Sequence, residues 1–191
     1  MRHRRKGRIL GRSPSHQRAL LRNLAAALFL TERETDEHEP NAPKTKGRII
    51  TTLEKAKEVR PVVEKCITIA RKALVIKEAA GPLGTTAERG TDTWKAWRKS
   101  PQHSKWAQAM APVVTARRRV IVLLGDKRAA KLVFDTVAPR FADRDGGYTR
   151  ILRLAKPRLG DAGTRALLEF VGQNDRVKQR AQKPAFEAAK S

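Results

Sequence analysis

Six strong cations crowd the amino end: Arg2, Arg4, Arg5, Lys6, Arg8 and Arg12. The first 31 residues contain no acid. Guanidinium and ammonium groups at this density neutralise phosphate and donate charge-assisted hydrogen bonds to it. They also repel one another and offer little to bury, so residues 1–12 are expected to form an extended arm that orders on a partner. Just beyond lie Ser15 and His16, then Arg18 and Arg22 four residues apart, which one helix face would carry together. A serine beside a histidine is the composition of a nucleophile and its base. Neighbours on a helix point in different directions, however, so phosphate contact is the better chemistry for both.

Other chemistries find little support. The histidines are His3, His16, His38 and His103, scattered over different segments and without zinc-ligand spacing. Cys66 is the single cysteine, which excludes an intramolecular disulfide and a cysteine cluster. It falls on an apolar helical stripe and reads as a small buried hydrophobe. No phosphate-binding glycine loop, dinucleotide fingerprint or nucleophile elbow is present. The acids cluster in one segment or stand at ion-pair spacing, as Arg60 and Glu64 do. No catalytic residue, metal, cofactor or small-molecule substrate is nominated.

The elements that must position these cations belong to a chain of 191 residues with net charge +23 and 40% hydrophobic residues. That length can bury one sizeable core. Self-repulsion at this charge calls for a polyanion, nucleic acid first and an anionic membrane surface second. A membrane-surface protein would gather its charge on one amphipathic helix, whereas here it spreads over the whole chain. No apolar run is long enough to span a bilayer. Arg18 and Arg22 interrupt the only signal-like stretch, and no cleavage pattern follows. A cytoplasmic location is expected.

Ser13-Pro14 predicts the start of the first helix, a capping residue followed by a proline suited to the first turn. Leu21, Leu24, Ala25, Leu28 and Phe29 supply its apolar stripe. Thr31–Gly47 reads as a loop whose five acids face solvent, away from nucleic acid. Gly47–Ile50 suggests a short strand, and Thr51 with Glu54 suggests a capping box. The following helix carries Leu53, Ala56, Val59, Val63, Cys66, Ile67, Ala70 and Leu74 at helical spacing, with Pro61 expected to kink or restart it. Residues 79–112 hold Gly/Pro breaks and all three tryptophans, and read as an insertion. Trp94 and Trp97 either stack on a partner or fasten a short helix to the body, and packing is favoured. Arg117, Arg118 and Arg119 resume the basic pattern in a helix over Ala116–Leu124. Asp126 caps the next helix, which Pro139 is expected to stop. Tyr148–Leu154 and Ala166–Val171 read as strands that pair antiparallel.

Three blocks, in order, resemble the bacterial large-subunit ribosomal protein L-seventeen family. They are Met1–Arg8 with Leu10, Arg12, Ser15, His16 and Arg22-Asn23-Leu24; Ile50–Arg60; and Ala138–Phe141 with Gly146–Leu152. The resemblance covers about 1–30, 47–77 and 117–171, and its start at Met1 argues against a cleaved leader. It implies an α/β (α+β) fold: a compact two-layer body of helices packed on a small three-stranded sheet. The order is helix, strand, three helices, two strands, after an extended basic arm. The organisation expected is an arm over 1–12, a single body over 13–172 with insertions 31–46 and 79–112, and a polar tail over 173–191.

It also implies a structural, non-enzymatic protein of the large ribosomal subunit. Its partners would be large-subunit rRNA near the polypeptide exit region and neighbouring ribosomal proteins. The implied rRNA contacts are Arg2, His3, Arg4, Arg5, Lys6, Arg8 and Arg12 from the arm, and Ser15, His16, Arg18, Arg22 and Asn23 from the first helix. Lys55, Arg140, Tyr148 and Arg150 form a second implied patch, with Tyr148 either stacking on a base or lying in the core. Gln17 stands where the family commonly has a cation, and Pro61 where it often has Arg. A free-standing RNA-binding assembly or architectural factor is the alternative. An RNA-processing activity through His16 is a more distant one.

Overall fold

Ser13 sets the first helix as its sequence suggests. Its hydroxyl accepts from the His16 N–H, Pro14 occupies the first turn, and α1 runs Pro14–Leu30. The computed structural model describes residues 7–36 and 39–172. The expectations for Arg2, His3, Arg4, Arg5, Lys6, His38 and the tail 173–191 therefore lie outside the described residues. After α1 come β1 (Arg48–Thr52), α2 (Leu53–Ala80), α3 (Asp92–Lys99) and α4 (Pro101–Leu124). Then α5 (Lys127–Leu132) passes through a π turn (Val133–Val137) into α6 (Ala138–Arg140), followed by β2 (Thr149–Arg153) and β3 (Arg165–Phe170). The sheet is antiparallel in the order β1-β3-β2, with β3 in the centre.

One face of that sheet packs on the helices, giving a two-layer α+β body. The expected stripe of α2 is the spine of the core: Ala56, Val59, Val63, Cys66, Ile67 and Ala70 are all fully buried. Against it lie Leu28 and Phe29 of α1 and Ala166, Leu168 and Phe170 of β3. Phe29 stacks on Phe170 at 5.7 Å between ring centroids, and Phe141 meets Tyr148 at 5.1 Å. Burial pushes the Cys66 thiol up to about 12, so it carries no thiolate near neutral pH.

Several local expectations give way to longer-range structure. Thr51 and Thr52 belong to β1, paired with Ala166 and Arg165, and no side-chain capping bond forms at Thr52. The N–H of Leu53 donates instead to the Thr164 carbonyl. Strand pairing has taken the place of the capping box. Helix α2 runs unbroken through Pro61. Pro61 is exposed, as is Lys57, whose carbonyl loses its helical donor and can turn to water. Pro139 likewise does not stop its helix. The π turn ahead of it, in which Ala138 donates to the Val133 carbonyl, widens the coil where proline has no N–H to give.

The helix expected over Ala116–Leu124 begins at Pro101 and runs through Pro112, so residues 101–112 are continuous with the body helix. Trp97 packs edge-on against Trp106 (5.5 Å) and His103 (4.9 Å), fastening α3 to the start of α4. Trp94 lies under the Arg98 guanidinium.

Not all of the acidic loop faces solvent. Glu32 is buried, and Arg140 donates to both of its carboxylate oxygens, at 3.2 and 2.9 Å. Thr31 closes the loop: its hydroxyl donates to the Leu28 carbonyl and accepts from the Gly47 N–H at 2.9 Å.

Candidate nucleic-acid interface

Helix α1 buries Ala25, Ala26, Leu28 and Phe29 towards its end, whereas nearer its start it exposes Ser15, Arg18, Arg22 and Asn23. These four line one open groove of about 650 Å³ together with Leu124, Gly125 and Asp126 from the junction of α4 and α5. Gly125 makes the junction possible. At φ +72° it ends α4 in the left-handed conformation, its N–H donating to the Ile121 carbonyl at 2.7 Å. Asp126 then caps α5, accepting from the Arg128 N–H at 2.7 Å. The groove thus lies between a two-arginine ridge and a helix start flanked by exposed Lys127 and Arg128. Guanidinium groups favour anions, whereas the α5 start is already served by the Asp126 carboxylate. Arg18 donates to the Pro14 carbonyl, and among the described residues no carboxylate pairs with Arg18 or Arg22.

The described part of the arm takes a different form from the one expected. Residues 7–12 turn back on the body rather than extending. Leu10 (φ +58°) and Gly11 (φ +63°) make the turn, and the Arg12 N–H donates to the Ile9 carbonyl. Arg8 pairs with Glu58 of α2 at 2.8 Å, while the Gln17 side chain donates to the Arg8 carbonyl. Gln17 therefore anchors the arm, a role its residue type alone does not announce. Arg12 Nη1 lies 2.7 Å from His16 Nε2. Since a guanidinium only donates, that ring nitrogen is the acceptor. The Ser15 hydroxyl meets Ser13 Oγ, so Ser15 and His16 engage other partners than each other.

The four residues of the second implied patch occupy four settings. Tyr148 is fully buried in the core beside Phe141. Arg140 is taken up by Glu32. Arg150 pairs with Glu169 on the outer face of the sheet at 2.5 Å. Lys55 is half-buried beside a cleft with Ile50, Arg158 and Arg165. The groove residues missed in sequence are Leu124, Gly125 and Asp126. Their signal was present in Gly125-Asp126, a helix stop followed by a cap, but nothing local brings that stop to α1.

Among the described residues, no group of His, Cys, Asp or Glu could hold a metal ion, and no helix is long and apolar enough to cross a membrane.

The family described as Ribosomal protein L17 matches residues 20–171 of the chain. A protein of Rhodopirellula baltica named large ribosomal subunit protein bL17 is 66% identical over 98% of this chain and 89% of its own length. Proteins of the same name from Thermomicrobium roseum and Lactobacillus helveticus are 36% and 35% identical. They cover 90% and 86% of this chain and 99% and 98% of their own lengths. A match across the body, with identity running through nearly the whole chain, places this protein in the ribosomal protein L17 family.

Proposed function

We propose that this chain is a structural component of the large ribosomal subunit in the cytoplasm, where it binds and stabilises folded large-subunit rRNA near the polypeptide exit region. The observation that carries the reading is the groove in which Ser15, Arg18, Arg22 and Asn23 face the start of α5. An RNA backbone laid there meets two arginines without carboxylate partners, a hydroxyl and an amide. Affinity comes from phosphate neutralisation and counterion release, and selectivity from RNA shape, because the deep groove of A-form RNA hides its base edges. In this reading Arg2, His3, Arg4, Arg5 and Lys6 are further rRNA contacts. The role is architectural, with neighbouring ribosomal proteins as further partners and no cofactor or turnover.

Sedimentation of tagged protein through a sucrose gradient, before and after a moderate salt wash, tests this. Stoichiometric retention in large subunits and intact ribosomes is expected. Recovery only with immature particles, or at the top of the gradient, would favour a free-standing assembly factor.

A further inference from the structure

Because β3 lies between β1 and β2, its register sorts the sheet into cross-strand rows. Ala166, Leu168 and Phe170 point into the helices. The opposite face carries Arg48, Glu169 and Arg150 in one row, then Ile50, Leu167 and Leu152 in the next. The first row is a closed ion triad with a surplus positive charge, Glu169 receiving both arginines. The aliphatic row is open: Ile50 is 55% exposed and Leu152 46%. Two strand spacings make it roughly 10 Å wide. Beyond it, Ile50, Thr52, Lys55, Arg158 and Arg165 line a cleft of about 490 Å³. Arg158 is held by Asp161, while among the described residues no carboxylate pairs with Lys55 or Arg165.

We propose that this open sheet face docks a segment of another protein. The segment lays aliphatic side chains on Ile50, Leu167 and Leu152 and sets a carboxylate against Lys55 and Arg165. Charge and hydrocarbon together select that occupant. A second copy of this chain would bring the triad's surplus positive charge, Arg165 and Lys55 against the same charges. Nucleic acid would answer the cations but leave phosphate against three branched hydrocarbon chains, with nothing apolar to cover them. An acidic, aliphatic polypeptide meets both demands. The inference rests on the proposed place in the large subunit, so the occupant is a neighbouring subunit protein.

The test uses the full chain with a benzophenone photocrosslinker in place of Leu152, irradiated within gradient-purified large subunits. The expected product is one protein adduct, mapping to a peptide with aliphatic residues beside Asp or Glu. Its yield should fall several-fold in the Lys55→Glu, Arg165→Glu double variant, with the thermal melt of that variant unchanged. Adducts to rRNA or to a second copy, the absence of any adduct, or a yield indifferent to the charge reversal would overturn the docking surface. Sedimentation of the unirradiated protein reads subunit association separately. A chain that remains at the top of the gradient overturns the subunit reading itself, and the docking inference with it.

Discussion

Arg140 reaches across 108 residues of sequence to hold both carboxylate oxygens of Glu32. The two side chains are unequally placed: Glu32 keeps 3% of its side-chain exposure and Arg140 keeps 28%. Removing the cation takes the bidentate donor from a carboxylate that water reaches poorly, whereas removing the anion leaves a cation that water can partly serve. Arg140→Ala is therefore expected to cost more stability than Glu32→Gln, by about 1–2 kcal/mol in urea denaturation. Equal losses would place the burial of Glu32 in doubt.

Glu64 joins the longest helix to the start of β2. It accepts from the backbone N–H groups of Tyr148 and Thr149 and from the Thr149 hydroxyl, with Arg60 at 3.8 Å behind it. Glu64→Ala should destabilise the fold by about 2–3 kcal/mol, since buried backbone donors lose a charged acceptor. Amide exchange of Tyr148 and Thr149 is expected to rise faster than that of Leu168, which would localise the effect.

Arg18→Ala with Arg22→Ala tests the groove. Each phosphate contact contributes about 0.7–0.9 to the slope of log K against log salt, so losing both should flatten it by roughly 1.4–1.8 units. Both side chains are exposed, so the urea midpoint should hold. An unchanged slope would put the two arginines off the RNA.

The loop between β2 and β3 should resist acid. The Arg158 side chain first, and the Gly163 N–H second, hold the Asp161 carboxyl well below the usual carboxylate range. A folded value below the unfolded one gives a contribution fully present above roughly pH 4 and lost as pH falls through the lower folded value. The Asp161 carboxyl carbon, followed by NMR, should titrate below the range of an ordinary aspartate. Arg158→Ala should return it to the ordinary range.

What was legible in the chain was what neighbours in sequence decide. Ser13 with Pro14 fixes the start of α1, the α2 stripe fixes its buried face, and the composition of 148–154 and 166–171 marks two strands, which pair as 149–153 and 165–170. What stayed hidden depends on distant partners. Thr51 and Glu54 satisfy a capping pattern, yet β3 claims Thr51 for the sheet. Glu32 resembles its solvated neighbours until Arg140 is brought to it. Tyr148 becomes a core residue because Phe141 and Phe170 meet there. The candidate site divides in the same way. The cations of α1 follow from local spacing, whereas the helix start that faces them arrives through the α4–α5 junction.

The Thr31 hydroxyl, bonded to Leu28 on one side and Gly47 on the other, has a consequence for how this chain tolerates change. Both ends of the connection are pinned at the body, so the entropy of closing it grows only with the logarithm of its length. Residues 43–46 then form a natural graft point: a short epitope or dye-acceptor peptide placed there would ride outside the pinned ends without disturbing the paired strand that follows. A particle containing this chain could thus be marked at a defined place without loading either the α1 groove or the open face of the sheet.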